Sequence, residues 1–328
     1  MANRFNKGAA LLGAATVGVG GGIALAAVEK GRSFRAQAII ALFRATRRRR
    51  KFESLENLNS AIEADRKAGP SEPPASLRQR YDVTEEWHGG ARVHRVRPKN
   101  AASKGTILYI HGGGYVFDII SPHWDIIRSL ADDTDAEIVV PLYPLAPEAT
   151  YREGHAVLDK VWRKLAASEG PVVIAGDSAG GGFALALAQR IRDAGENMPA
   201  GLLLFSPWGD VTMQDPLIQR VQSDDPMLHA TGARAAGVMW AGGDDLQTPA
   251  ISPLYGSMTN LPPVAIFIGS SDILLADARR LRERFLEAGV NVEYFEYPNM
   301  MHVWVGAPIP EAKRALGEAA DFLKRRFL

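Results

Sequence analysis

Gly176-Asp177-Ser178-Ala179-Gly180 sets a serine between two glycines in the form G-x-S-x-G. An apolar run, Pro171–Ala175, precedes it, and an Ala-rich segment, Ala179–Ala194, follows it. Between a strand and a helix, such a serine sits on a sharp, strained turn with its hydroxyl above the sheet. The flanking glycines are needed because a Cβ there would meet the neighbouring strand and helix. A Gly-rich turn with a helix-capping serine would use the same residue types. The strand–turn–helix context favours a nucleophile. A serine hydroxyl attacks a carbonyl only when a base takes its proton, so a histidine and an orienting acid are required.

Chain order in this kind of sheet is serine, then acid, then histidine. His88, His94, His111, His123 and His155 precede the serine, and His229 falls in a segment that breaks the strand–helix rhythm. His302 follows the last strand and is the expected base. Asp272, just beyond the strand Val264–Gly269, is the expected acid. Asp210 and Asp277 are the other two carboxylates in reach of strand ends. His111-Gly112-Gly113-Gly114 follows the strand Thr106–Ile110. Consecutive glycines let a substrate approach the backbone, so their N–H groups suit a developing oxyanion. Gly113 and Gly114 are the natural donors, with Ala179 as a third, and Gly112 either donates or shapes the loop. His111 resembles a base but is expected to hold that loop.

These residues need a scaffold. From about residue 80 the chain alternates short apolar, β-rich runs with amphipathic segments. Val83–Trp87 and Arg92–Arg97 predict a hairpin. Thr106–Ile110, Glu137–Tyr143, Pro171–Ala175, Leu202–Phe205, Val264–Gly269 and Val292–Tyr297 predict strands. Pro122–Asp132, His155–Ser168, Ala179–Ala194, Ala276–Ala288 and Pro310–Phe327 predict helices. The alternation implies an α/β fold, a mainly parallel central sheet with helices on both faces. Residues 208–255 interrupt it and read as an inserted cap. Residues 33–68 carry apolar groups at helical spacing, and Pro70, Pro73 and Pro74 close that segment.

The chain has 328 residues, no cysteine and a formal charge of +1. That excludes a thiolate nucleophile, a cysteine metal site and a disulfide scaffold. The charge is unevenly spread. Residues 29–52 carry nine basic side chains against Glu29, residues 1–28 add Arg4 and Lys7, and the remainder is acidic. An acidic body argues against nucleic acid as partner. Residues 8–28 form a charge-free stretch long enough to cross a bilayer, but they are rich in glycine. They read as an anchor, a signal or a plain extension. With the run Arg47–Lys51 they give residues 8–51 an affinity for an anionic membrane surface. That run opposes export, so cytoplasmic or membrane-associated locations are favoured over export.

The motifs together resemble the hormone-sensitive lipase family of α/β-hydrolases, the bacterial family IV esterases. The resemblance rests on His111–Tyr115, Tyr143–Glu148, Gly176–Gly180, Ser206-Pro207-Trp208, Asp225-Pro226-Met227-Leu228, Asp272-Ile273-Leu274 and Tyr297-Pro298 before His302. It covers roughly residues 80–325 and departs at Pro144, where family members usually carry arginine. It implies residues 33–79 as N-terminal cap helices and 80–328 as the catalytic domain, with the cap insertion at about 208–255. Residues 1–32 stand outside as an apolar extension. It also implies a carboxylic ester hydrolase with a Ser178–His302–Asp272 triad and an acyl-enzyme intermediate. Short- to medium-chain esters are the expected substrates. Amide or lactone hydrolysis, or ligand binding without catalysis, are the rival outcomes on the same scaffold. The chemistry needs no metal and no organic cofactor.

Overall fold

The computed structural model describes residues 31–99, 102–168 and 170–328. The apolar stretch 8–28 lies outside them. Among the described residues no helix is long and apolar enough to cross a membrane.

One sheet of eight strands organises the chain. These are β1 (Tyr81–His88), β2 (Ala91–Pro98), β3 (Thr106–Ile110), β4 (Glu137–Pro141), β5 (Val172–Asp177), β6 (Gly201–Phe205), β7 (Val264–Gly269) and β8 (Val292–Tyr297). Their spatial order is β1-β2-β4-β3-β5-β6-β7-β8. β2 pairs antiparallel with both β1 and β4, and every later pairing is parallel. Parallel strands need covered faces, and β5, β6 and β7 are buried at every position.

The helices are α1 (Phe34–Ala45), α2 (Leu55–Ala68), α3 (Ala75–Arg80), α4 (Ser121–Thr134), α5 (Tyr151–Ala166), α6 (Ala179–Asp193), α7 (Pro216–Val221), α8 (Ala230–Ala241), α9 (Leu275–Glu287) and α10 (Pro310–Arg326). Leu108 and Ile110 of β3 join a core with side chains of α5, α6, α8 and α9. Ile107 and Tyr109 join the opposite core, with α1, α4 and α10. Local signals fix several ends. Thr150 and Glu153 form a reciprocal capping box on α5, with the Thr150 N–H donating to Glu153 at 2.9 Å. Ser33 caps α1 and also donates to Glu311 of α10 from its N–H (2.6 Å) and hydroxyl (2.8 Å).

The segment expected to be helical over 33–68 is broken in two. Arg47 adopts a left-handed conformation (φ 50°), ending α1, and a 3₁₀ turn, Arg48–Phe52, leads to α2. The prolines that close α2 also start a further helix, α3, which periodicity did not reveal; Pro74 is its N-cap. A proline lacks the N–H that a helix start leaves unpaired anyway. Within 208–255 the chain forms α7 and α8. A Cβ on Gly232 of α8 would lie 2.5 Å from the Phe52 backbone, so α8 packs flush on the 3₁₀ turn. Arg49 donates to the Gln222 carbonyl at 2.9 Å. The N-terminal helical segment and residues 208–255 thus pack against each other.

Candidate active site

β5 ends at Asp177 and α6 begins at Ala179, leaving Ser178 alone at the turn. Its backbone sits at φ 53° and ψ −123°, a strained conformation for a residue with a Cβ. Neighbours hold it there. Its N–H donates to Phe205 at 2.8 Å, and its carbonyl accepts from Gly182 (3.1 Å) and Trp208 (2.9 Å). A Cβ on Gly180 would stand 2.0 Å from the Ile110 carbonyl oxygen, so only glycine lets α6 press against β3 there. The turn needs its glycines for the reason the sequence suggested.

Asp272 follows β7 and His302 follows β8. Both are buried. His302 Nε2 lies 2.9 Å from Ser178 Oγ, and His302 Nδ1 lies 2.8 Å from Asp272 Oδ2. The second contact fixes the tautomer: Nδ1 donates to the carboxylate and Nε2 faces the hydroxyl. Asp272 Oδ1 accepts from the Leu274 N–H at 2.9 Å, which orients the carboxylate. Burial alone would lower the His302 pKa. The charge of Asp272, the hydrogen bond to it, and the charges of Asp225 and Asp177 outweigh burial, so the imidazole is held above its ordinary value.

Asp210 and Asp277 are brought together elsewhere. Asp277 accepts from the N–H groups of Gly209 and Asp210, each at 2.9 Å. Asp210 accepts from Tyr255 (2.8 Å) and Arg280 (3.1 Å). Both are engaged in holding the start of the cap insertion.

The loop after β3 brings Gly113 and Gly114 to the cavity that holds Ser178. Their N–H groups have no acceptor among the described residues, and Gly113 has φ 120°, a conformation glycine adopts freely. The Ala179 N–H, first in α6, has no intrahelical partner. Of the two roles open to Gly112, donating or shaping the loop, the geometry favours the second. Its N–H donates to Asp177 Oδ1 at 3.0 Å, so Gly112 shapes the loop instead. Tyr109 donates to the same oxygen at 2.7 Å, and His123 Nε2 is 3.4 Å from the other. Burial would raise the Asp177 pKa, but His123 and these bonds hold it below its ordinary value. His111 is structural, as expected: its ring pairs with the Gly112 carbonyl at 2.7 Å and stacks on Tyr143 at 4.5 Å. Burial, then His123, push its pKa down to about 4, so it stays neutral.

Residues 107–306 match the α/β-hydrolase fold family. The chain is 34% identical over 259 residues to an acetyl-hydrolase of Streptomyces hygroscopicus, covering 77% of this chain and 83% of that one. It is 35% identical over 240 residues to an esterase of Acinetobacter venetianus, covering 71% and 78%. A solved esterase of the bacterial hormone-sensitive lipase family superposes with a TM-score of 0.79 at 26% identity, covering 90% of this chain and 99% of that one. The chain belongs to the hormone-sensitive lipase family of α/β-hydrolases. It is a carboxylesterase-type serine hydrolase.

Within this hydrolase, sequence reasoning missed two residues at the site. Asp225, in the cap insertion, is buried and accepts from the N–H of Ile273, next to Asp272, at 3.1 Å. Its other oxygen accepts from Met227 (2.8 Å) and Leu228 (3.0 Å). Burial, then Asp272, raise its pKa to about 6. The Asp225-Pro226-Met227-Leu228 motif marked the place without giving the role. Lys51 belongs to the basic run expected to meet an anionic membrane surface, yet it lines the cavity of about 790 Å³ that opens on Ser178. Phe43, Phe52, Phe117, Trp208, Leu228 and Met301 are among its apolar walls. The segment carrying Pro144 is held by Arg66 of α2, which donates to the Ala146 carbonyl at 2.9 Å and pairs with Glu148. Glu72, Glu85 and His94 lie close enough to share a cation, but Arg92 already pairs with Glu72 at 2.7 Å, and none of the three lines this cavity.

Proposed function

We propose that this esterase hydrolyses short- to medium-chain carboxylic esters, with Ser178 as nucleophile, His302 as general base and acid, and Asp272 as orienting carboxylate. The observation that carries the reading is the unbroken chain from Ser178 Oγ to His302 Nε2 at 2.9 Å and from His302 Nδ1 to Asp272 at 2.8 Å. His302 removes the hydroxyl proton as Oγ attacks the ester carbonyl. The N–H groups of Gly113, Gly114 and Ala179 receive the oxyanion, each worth on the order of 3 kcal/mol of barrier. The imidazolium, stabilised by Asp272, gives its proton to the leaving alcohol. Water then attacks the acyl-enzyme with His302 again as base.

The strained Ser178 backbone suits this role, because it presents Oγ while the preceding strand and following helix stay packed. The apolar walls accept an acyl chain by burial, and the finite cavity limits its length. Ser178→Ala should fold normally and lose at least about a thousandfold in kcat/KM. On wild-type protein, an acyl series from acetyl to palmitoyl should peak at the short to middle members. Activity within tenfold of wild type in Ser178→Ala, or a palmitoyl ester preferred over a butyryl ester, overturns the corresponding part of the reading.

A further inference from the structure

Lys51 ends the basic run on the 3₁₀ turn Arg48–Phe52, but its side chain turns into the cavity shared with Ser178 and His302. Its ammonium lies 4.4 Å from the centre of the Phe117 ring and 5.1 Å from that of Phe52. No carboxylate among the described residues forms an ion pair with it. Asp65 of α2, whose charge acts on it, is engaged elsewhere: its Oδ2 accepts from Arg66 (3.2 Å) and from the Asp118 N–H (3.0 Å). Arg47 and Arg48 line the same cavity, are exposed, and also lack an ion-pair partner among the described residues. The cavity therefore has cations at an exposed edge, a cation within and the candidate nucleophile in the same space, and the acids that also line it, Asp65, Asp118 and Asp177, form no ion pair with Lys51.

A cation enclosed by apolar groups is costly unless an anion meets it. Ring faces attract an ammonium but leave its N–H donors unfilled. We propose that Lys51 recognises a carboxylate carried by the ester substrate, making the preferred substrate an ester with a free acid group. The proposal rests on the Ser178 esterase reading and adds the substrate class. Burial, then Arg48, lower the Lys51 pKa to about 8, partly offset by Asp65, so the side chain remains a cation at neutral pH. A long flexible stem with a compact charge suits a carboxylate on a chain of variable reach. The walls around it hold the apolar remainder of the ester.

The carboxylate sits either on the acyl chain or on the leaving alcohol, and two matched pairs of esters distinguish these. For the acyl side, the mono-4-nitrophenyl ester of adipic acid is compared with 4-nitrophenyl hexanoate. For the alcohol side, 4-carboxyphenyl butyrate is compared with phenyl butyrate. Each is measured near neutral pH with wild type, Lys51→Met and Lys51→Arg. In at least one pair, Lys51→Met should lower kcat/KM for the charged ester about tenfold or more, chiefly through KM, while the neutral partner stays within about threefold. Lys51→Arg should keep most of the wild-type preference because it keeps the charge. If Lys51→Met lowers charged and neutral esters equally in both pairs, or changes neither, the proposal fails and the esterase reading stands. If wild type turns over none of the four esters, the esterase reading fails and takes the proposal with it.

Discussion

Asp225 accepts the backbone N–H of Ile273 at 3.1 Å, so a buried carboxylate of the cap insertion grips the residue next to Asp272. The two carboxylates and His302 form one electrostatic unit. Each negative charge raises the basicity of the imidazole. The same side chain holds Met227 and Leu228, which line the cavity. The segment 208–255 and the proposed triad are therefore joined, by hydrogen bonds and by charge, through Asp225.

Asp225→Asn removes one of the charges that hold the His302 pKa up. With that charge gone, the imidazole protonates at lower pH. The acid limb of kcat/KM should move to lower pH, while a melting curve shows that the chain still folds. Asp225 is a positioning residue in this account, and a merely structural loss would reduce activity without moving the limb. An acid limb that stays in place, or moves up, contradicts the coupling.

In the proposed mechanism His302 must be neutral to take the Ser178 proton. Its folded pKa lies above the ordinary value of about 6.5, because Asp272, their hydrogen bond and Asp225 outweigh burial. Activity should therefore fall as pH drops through a midpoint above about 6.5, along a single-proton curve, in the free enzyme. A kcat/KM profile decides this. A midpoint well below 6.5 would mean that burial dominates and the Asp272 contact is weaker than the 2.8 Å geometry implies.

Asp272→Asn should cut turnover by about ten-thousandfold, since the amide no longer fixes the imidazole tautomer. Asp210→Asn should keep turnover within about tenfold, because Asp210 pairs with Arg280 and Tyr255 and not with His302. Stopped assays on both folded variants test the ranking. The reverse order would unseat Asp272.

Asp277 offers a pH-stability test. Burial, then Asp210, hold its carboxyl well above the ordinary range, so the folded chain keeps this proton to higher pH than the unfolded chain does. A raised carboxyl pKa costs stability progressively as pH climbs past the unfolded value of about 3.9. Asp277→Asn removes that cost. Relative to wild type, the variant should gain stability as pH rises from about 4 to 8, read from denaturant midpoints. A gap that is constant with pH would show that Asp277 is ionised in the fold.

Much of the site was legible because its constraints are local. Gly176 and Gly180 around Ser178 encode a strained turn in five consecutive residues, and strand and helix signals on each side fix its setting. His111 to Gly114 announce, in the same way, a loop whose glycines let a substrate approach the backbone. His302 could be chosen by order along the chain. What the order of residues could not decide is where a side chain or N–H points once distant segments meet. Asp210, Asp272 and Asp277 all stand near strand ends, and only the packing of β7 beside β8 brings one of them to His302. Gly112 is chemically like Gly113, yet Asp177 captures its N–H. Arg47 to Lys51 form a uniform basic run, and the left-handed turn at Arg47 with the approach of α8 sorts them, sending Arg49 to the insertion and Lys51 into the cavity. Local sequence sets backbone conformation through sterics over a few residues. Through-space contacts between segments far apart in the chain set burial, hydrogen-bond choice and pKa, and those are fixed only when the whole chain has packed.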